Sequence, residues 1–138
     1  MLDELLSDLR AEHDDLLAVV QKADLDLKVP ADPWDVRDTA SHLMVGDAKA
    51  LMAAADPDAF NAELPQVFAD PEGFIASWLE AGHGLSKDEL LTRWHDGFEQ
   101  MVKAFADVPP GTKIPWYGPP MSPSSFATAR LMEYWAHG

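Results

Sequence analysis

Residues 86–111 read SKDELLTRWHDGFEQMVKAFADVPPG. The serine and the glutamate three residues later match a capping box, in which each side chain satisfies one free amide of a first helical turn. Apolar residues then recur every three or four positions, as one buried helix face requires; they are Leu90, Leu91, Trp94, Phe98, Met101, Val102 and Phe105. Because the VPPG sequence at 108–111 cannot continue a helix, the segment predicts one long amphipathic helix.

Three further segments show helical periodicity, at residues 2–23, 36–55 and 124–137. Asp35 is the predicted N-cap of the second segment, and Ser122 followed by Pro123 begins the last. The predicted core face of the 36–55 helix consists of Val36, Ala40, Leu43, Ala48 and Leu51. We therefore predict an all-α four-helix bundle that covers residues 1–138 as a single domain.

Two connections carry the remaining structural information. The VPADPWD stretch at 29–35 contains two prolines and predicts a turn. Residues 56–86 predict one short helix, at 71–81, within a long connection. That length favours a following helix that crosses the bundle instead of returning beside the 36–55 helix.

Composition excludes several classes of partner. The formal net charge of −14 repels phosphate backbones and anionic membrane surfaces, so we expect neither nucleic acid nor a membrane as a partner. No run approaches the roughly 18 apolar residues of a membrane span, and the acidic MLDELL start is unlike a signal peptide. Cysteine is absent, which excludes disulfides and thiolate ligands from this chain and fits a cytoplasmic protein.

One group of side chains has the chemistry of a metal site. Glu133 and His137 are four residues apart on a predicted helix and point from one face. His42 lies beside the apolar face of another helix and can project toward the bundle interior. Two imidazoles and one carboxylate form the ligand set of a catalytic zinc and hold other divalent metals as well. The spacing also fits a solvated surface pair, and His42 alone fits a half-buried ring packed on Trp34 or on a residue of the last helix.

Three stretches resemble one protein family. PWDVRDTASHL at 33–43, ARLMEYWAHG at 129–138 and, less specifically, WYGPPMS at 116–122 are similar to the DinB-like superfamily, in particular to the N-terminal domain of mycothiol-dependent maleylpyruvate isomerases in an uncharacterised actinobacterial branch. The resemblance covers nearly the whole chain.

The resemblance implies a DinB-like bundle that binds a divalent metal, often zinc, through His42, Glu133 and His137. It implies a thiol transferase or isomerase in which the metal activates mycothiol, a low-molecular-weight thiol, toward an electrophilic substrate. Family enzymes commonly carry a second, C-terminal domain, so we expect residues 1–138 to be the N-terminal part of a longer protein. A non-catalytic binding domain and a purely structural module remain alternatives, as does a homodimer.

Further residues are candidates for substrate contact or support. Arg130 can orient Glu133, bind an anionic substrate or lie on the helix surface. Trp116 and Tyr117 can wall a pocket or plug the end of the core. His13 falls within the apolar stripe of the first helix, as a pocket candidate or a core histidine. The positions of His83 and His95 predict surface residues. The sequence names His42, Glu133 and His137 as candidate metal ligands, but it does not identify a catalytic residue.

Overall fold

The computed structural model describes residues 2–29 and 34–137, and this part of the chain forms six helices. They are α1 (Leu2–Lys22), α2 (Val36–Ala55), α3 (Pro57–Ala69), α4 (Pro71–Glu80), α5 (Lys87–Asp107) and α6 (Pro123–His137). Residues 30–33 of the turn predicted at 29–35, and the terminal Met1 and Gly138, lie outside the described residues. No helix described here is long and apolar enough to cross a membrane.

The predicted N-caps Ser86 and Asp35 are confirmed, and Ser122 accepts from the Ser125 amide at 3.2 Å as its predicted capping role requires. Ser86 accepts from the Glu89 amide at 3.2 Å, and Glu89 accepts from the Ser86 amide at 3.4 Å. At the start of α2, the Asp35 carboxylate accepts from the Asp38 amide at 2.8 Å, and the Asp35 amide donates to the Asp38 carboxylate at 3.2 Å. These reciprocal bonds fix where α5 and α2 begin.

The four long helices α1, α2, α5 and α6 form the predicted bundle. The largest helix–helix contact is between α2 and α5, followed by that between α1 and α6. Large aromatic rings fill the space between them and are fully buried: Trp94, Phe98, Phe105, Phe126 and Tyr134. Burial of these rings is the main source of stability for such a core.

The predicted core face of α2 is wrong at Ala48, which is exposed. The buried stripe runs through Leu43, Asp47 and Ala50 instead, and Ala48 lies about 100° around the helix from Asp47. A charged residue, Asp47, therefore lies on the buried stripe of α2, which the predicted core face did not include.

The connection between α2 and α5 contains two helices where one was predicted. Asp56 caps α3 and Asp70 caps α4, and each aspartate is followed by a proline at the first helical position. Phe60 anchors α3 in the core, and Trp78 anchors α4. Both helices pack against α2.

The helix α5 lies beside α2 and runs in the same direction. Arg37, near the start of α2, donates to the Gly82 and Leu85 carbonyls just before α5, so both helices begin at the same end of the bundle. The connection therefore crosses the bundle as its length predicted, but the expectation that α5 would not lie beside α2 is wrong.

Candidate metal centre

The three predicted ligands converge between α2 and α6. Each of His42, Glu133 and His137 offers a donor atom within 4.8 Å of the other two. The Glu133 Oε2 atom lies 3.6 Å from His42 Nε2 and 3.3 Å from His137 Nε2. The structure thus brings together side chains that are separated by most of the chain, with the carboxylate between two imidazoles.

Tryptophan rings hold the two imidazoles in place. The Trp34 centroid lies 5.0 Å from that of His42 and 5.6 Å from that of His137, and Trp78 lies 5.6 Å from His42. The two histidine side chains are 15% and 19% exposed, whereas Glu133 is 42% exposed. Packing of His42 on Trp34, the alternative left open by the sequence, therefore accompanies the convergence of the donors.

The charge state of this cluster suits a cation. Hydrogen bonding with His137, and then with His42, holds the pKa of Glu133 well below its usual range, although partial burial acts against this. An ionised carboxylate with two imidazoles matches the ligand set of a catalytic zinc. His42 Nδ1 is buried and has no hydrogen-bond partner within the described ranges. The donor types, charge and spacing of these residues therefore fit a divalent cation.

A cavity of about 200 Å³ opens beside the cluster. Its volume is below the roughly 300–1,000 Å³ of pockets that enclose a drug-sized ligand, so it admits a small molecule or part of a larger one. Its wall is mixed polar and aromatic, with the following residues: His42, Ile75, Trp78, Trp116, Tyr117, Phe126, Ala129, Arg130 and Glu133.

Polar atoms in the wall of this cavity lack partners. Among the described residues, the buried side-chain nitrogens and oxygens without a hydrogen bond are His42 Nδ1, Trp78 Nε1 and the Tyr117 hydroxyl. All three residues line the same cavity. Burial raises the pKa of Tyr117, so its hydroxyl remains a neutral donor. Since each unpaired buried group is destabilising by about 1–3 kcal/mol, their concentration here indicates a site for a ligand with acceptor atoms.

Arg130 is buried, so the surface position considered for it is wrong. Its Nε and Nη2 atoms donate to Asp47 Oδ1 at 3.1 and 2.8 Å, and the Tyr134 hydroxyl donates to Asp47 Oδ2 at 2.5 Å. Gly46 leaves room for this guanidinium, because a Cβ there would lie 2.8 Å from Nη2. Sequence reasoning missed Asp47, and the available signal was an aspartate one turn from Leu43 on the apolar face of α2.

The loop before α6 supplies the aromatic end of the cavity. Ile114 and Met121 pair through two backbone hydrogen bonds of 2.7 and 2.9 Å, which close the loop that carries Trp116 and Tyr117. Trp116 also contacts the buried Phe126 ring, at 4.7 Å between centroids. Trp116 and Tyr117 were predicted either to wall a pocket or to plug the end of the core, and they do both, since the loop's rings cover the core and line the cavity.

The remaining histidines lie elsewhere. His13 is fully buried but does not line the cavity; its Nδ1 atom is 3.0 Å from the Tyr134 hydroxyl. His95 contacts His13, with its Nδ1 atom 3.2 Å from His13 Nε2. His95 is therefore half-buried, and its predicted surface position is wrong. His83 is exposed as predicted and lies 3.2 Å from Asp38.

The helical bundle and the placement of the cluster across α2 and α6 define a domain of the DinB-like class. The chain belongs to the mycothiol maleylpyruvate isomerase N-terminal domain family, whose model matches residues 6–138. The family resemblance found in the sequence is thereby confirmed.

Similar proteins occur in mycobacteria. Two uncharacterised proteins of Mycobacterium tuberculosis, from strains CDC 1551 / Oshkosh and H37Rv, are each 40% identical to this chain over 136 residues. The matches cover 96% of this chain and 53% of each relative, so the chain spans about half their length. No solved structure matches the chain significantly.

Proposed function

We propose that this domain binds a divalent cation, zinc in the first instance, through His42, Glu133 and His137, and that it serves a thiol transferase or isomerase reaction in the cytoplasm. The observation that carries the proposal is the convergence of the three donors within 4.8 Å from two helices. Family membership supports a thiol as the reacting group, because the family takes its name from a mycothiol maleylpyruvate isomerase.

The chemistry requires a nucleophile that the chain does not contain. A divalent cation, when bound, lowers the pKa of a coordinated thiol so that it is a thiolate at neutral pH. In this proposal the thiol is a small cofactor of the mycothiol type, as the family description supports, and residues 1–138 themselves contain no cysteine. Glu133 would offset part of the charge of a bound cation, and the Trp34 and Trp78 rings limit the movement of the imidazoles.

The cavity wall supplies groups that would position an electrophilic substrate. Trp78 Nε1 and the Tyr117 hydroxyl are donors without partners, and they suit carbonyl or carboxylate oxygens. Arg130 adds a fixed positive charge, and Asp47 holds its guanidinium in place. In this proposal Arg130, Trp116 and Tyr117 bind or orient substrate, whereas His13 lies outside the cavity.

Metal analysis of His42→Ala tests the proposal. Protein purified without a histidine tag is stripped, reconstituted with zinc, dialysed and measured by elemental analysis. We expect His42→Ala to lose one zinc equivalent relative to wild type, because the remaining pair on α6 lacks the third donor. His83→Ala is the matched control, since this exposed histidine also lies beside a carboxylate.

Equal zinc content in wild type and His42→Ala would overturn the metal assignment. The thiol assignment has its own measurement, which is the consumption of mycothiol with a panel of electrophiles by the zinc-loaded protein. Activity that His42→Ala lacks and His83→Ala retains is the expected result.

A second candidate function is a binding domain that holds a small ligand without chemistry. The size of the cavity favours it, because about 200 Å³ encloses only part of a thiol cofactor together with a substrate. This candidate predicts ligand binding that Tyr117→Phe weakens, with no thiol consumed by any electrophile.

A further inference from the structure

A second cluster of histidines lies between α1 and α5. His13, His95 and Asp14 each offer a donor atom within 4.8 Å of the other two. The His13 Nε2 and His95 Nδ1 atoms are 3.2 Å apart. Two nitrogens that bind one tetrahedral zinc at about 2.0–2.1 Å are themselves roughly 3.3 Å apart. These two atoms share a hydrogen bond, and their separation is also close to that of two ligands on one ion.

A buried chain of hydrogen bonds fixes the tautomer of His13. Arg130 is always charged, so Asp47 is ionised as its counterion, and the Tyr134 hydroxyl must give its proton to Asp47. Trp94 Nε1 can only donate, and it does so to the same hydroxyl at 2.9 Å. Tyr134 can therefore only accept from His13 Nδ1, at 3.0 Å. The lone pair of His13 lies on Nε2, the atom that faces His95.

The position of the His13 ring is fixed as well. It stacks on Phe98 at 3.8 Å between centroids with an interplanar angle of 3°, and it meets Trp94 edge-on at 5.3 Å. A metal-bound histidine typically donates its other nitrogen to an acceptor that is itself held in place. Tyr134, held by Asp47, provides that acceptor for His13.

The outer side of the cluster is open to a cation. His95 is half-buried and Asp14 is exposed, so an ion can approach His13 Nε2 from solvent. Arg10 and Glu99, which act on His13 with opposite sign, form an ion pair of 2.9 Å with each other. Asp14 thus supplies the charge that a divalent cation would meet.

We propose that His13, His95 and Asp14 form a second divalent-cation site, of the class that binds zinc, on the α1–α5 side of the bundle. Binding requires His95 to carry its proton on Nε2, which frees Nδ1 and needs no net loss of a proton. The site is independent of the proposed function, since it shares no residue with His42, Glu133 and His137.

Zinc titration by calorimetry tests the proposal on the full chain. We expect His95→Ala and Asp14→Asn each to weaken one class of zinc binding by at least tenfold, and His42→Ala to leave that class unchanged. His83→Ala is the control for loss of an exposed histidine next to a carboxylate. These variants avoid the fully buried His13, whose replacement can disturb the core.

Nitrogen-15 spectra of the imidazole rings give a second measurement. Zinc should shift the His13 Nε2 and His95 Nδ1 resonances in the His42→Ala variant. Unshifted resonances, together with zinc affinities that His95→Ala does not change, would overturn the proposal. The failure of the proposed function is a different result, since it concerns the zinc that His42→Ala removes.

Discussion

The two histidine clusters have the same donor set but different surroundings. In the α2–α6 cluster, Glu133 lies between two imidazoles, and His42 Nδ1 has no partner among the described residues. In the α1–α5 cluster, the imidazoles face each other directly, and His13 Nδ1 is bound to Tyr134. In the first cluster, a buried imidazole nitrogen beside the cavity has no hydrogen bond. In the second, a hydrogen bond already sets the orientation of the His13 ring.

A buried charged group lies between the clusters. Arg130 lines the cavity of the first, and the Tyr134 hydroxyl reaches the second, and both bind Asp47. Burial raises the pKa of Asp47, while the Arg130 charge and the Tyr134 hydrogen bond lower it. The Asp47 carboxylate is therefore the point at which the two clusters can be disturbed together.

The largest expected effect is that of Asp47→Ala. The change leaves the Arg130 charge buried without its partner, and loss of one member of a buried pair destabilises by about 3–5 kcal/mol. Urea unfolding of metal-free protein measures it. Glu63→Ala is the control, because its ion pair with Lys49 is partly exposed and worth at most about 1 kcal/mol. A loss below about 1 kcal/mol for Asp47→Ala would show that this pair does not hold the core together.

Tyr134→Phe should distinguish the two clusters. Removing the hydroxyl leaves Asp47, Trp94 and His13 each without one hydrogen bond, so we expect a loss of about 1–3 kcal/mol in the free energy of unfolding. Zinc binding that depends on His95 should weaken by about 10–100-fold, because His13 loses its orienting acceptor. Equal weakening of the zinc that depends on His42 would contradict the independence of the clusters.

Acid should destabilise the α1–α5 cluster in metal-free protein. Burial lowers the pKa of His13 to about 3, the charge of His95 adds to this, and Glu99 acts against it. The unfolded chain binds this proton below about pH 6.5 and the folded chain does not, so stability falls as the pH falls.

The expected loss is about 1.5 kcal/mol between pH 6.5 and pH 5. Urea unfolding with a chelator present measures it at each pH. His13→Phe should remove this part of the slope, and His83→Ala should keep it. An unchanged slope in His13→Phe would show that another group titrates.

The sequence predicted the α2–α6 cluster but not the α1–α5 cluster, for physical reasons. Glu133 and His137 share a helix face by spacing alone, the position of His42 beside the apolar face of its helix made it a candidate third ligand, and the family resemblance supported that choice. His95 follows the buried Trp94, so helical periodicity placed it on the polar side, and only the packing of α1 against α5 brings it to His13.

Asp47 and α3 were missed for related reasons. A charged residue usually lies on the solvent side of a helix, and the partner of Asp47 is 83 residues away in the chain. No local pattern shows such a pair. The sequence repeats an Asp-Pro pair at the starts of α3 and α4, but α3 contains Pro65, a residue type that disfavours a helix interior.

The smallest expected change in stability is that of Glu133→Gln, which has the same shape without the charge. The side chain is 42% exposed, so water screens its interaction with the imidazoles, and we expect metal-free stability at pH 7 to change by less than about 0.5 kcal/mol. Zinc affinity at this cluster should nevertheless fall at least tenfold, because a neutral amide replaces the charged ligand. Urea unfolding and zinc calorimetry on the same samples measure the two effects. A large loss of stability with unchanged zinc affinity would assign Glu133 to the fold and not to a metal, and the contrast between the clusters would then disappear.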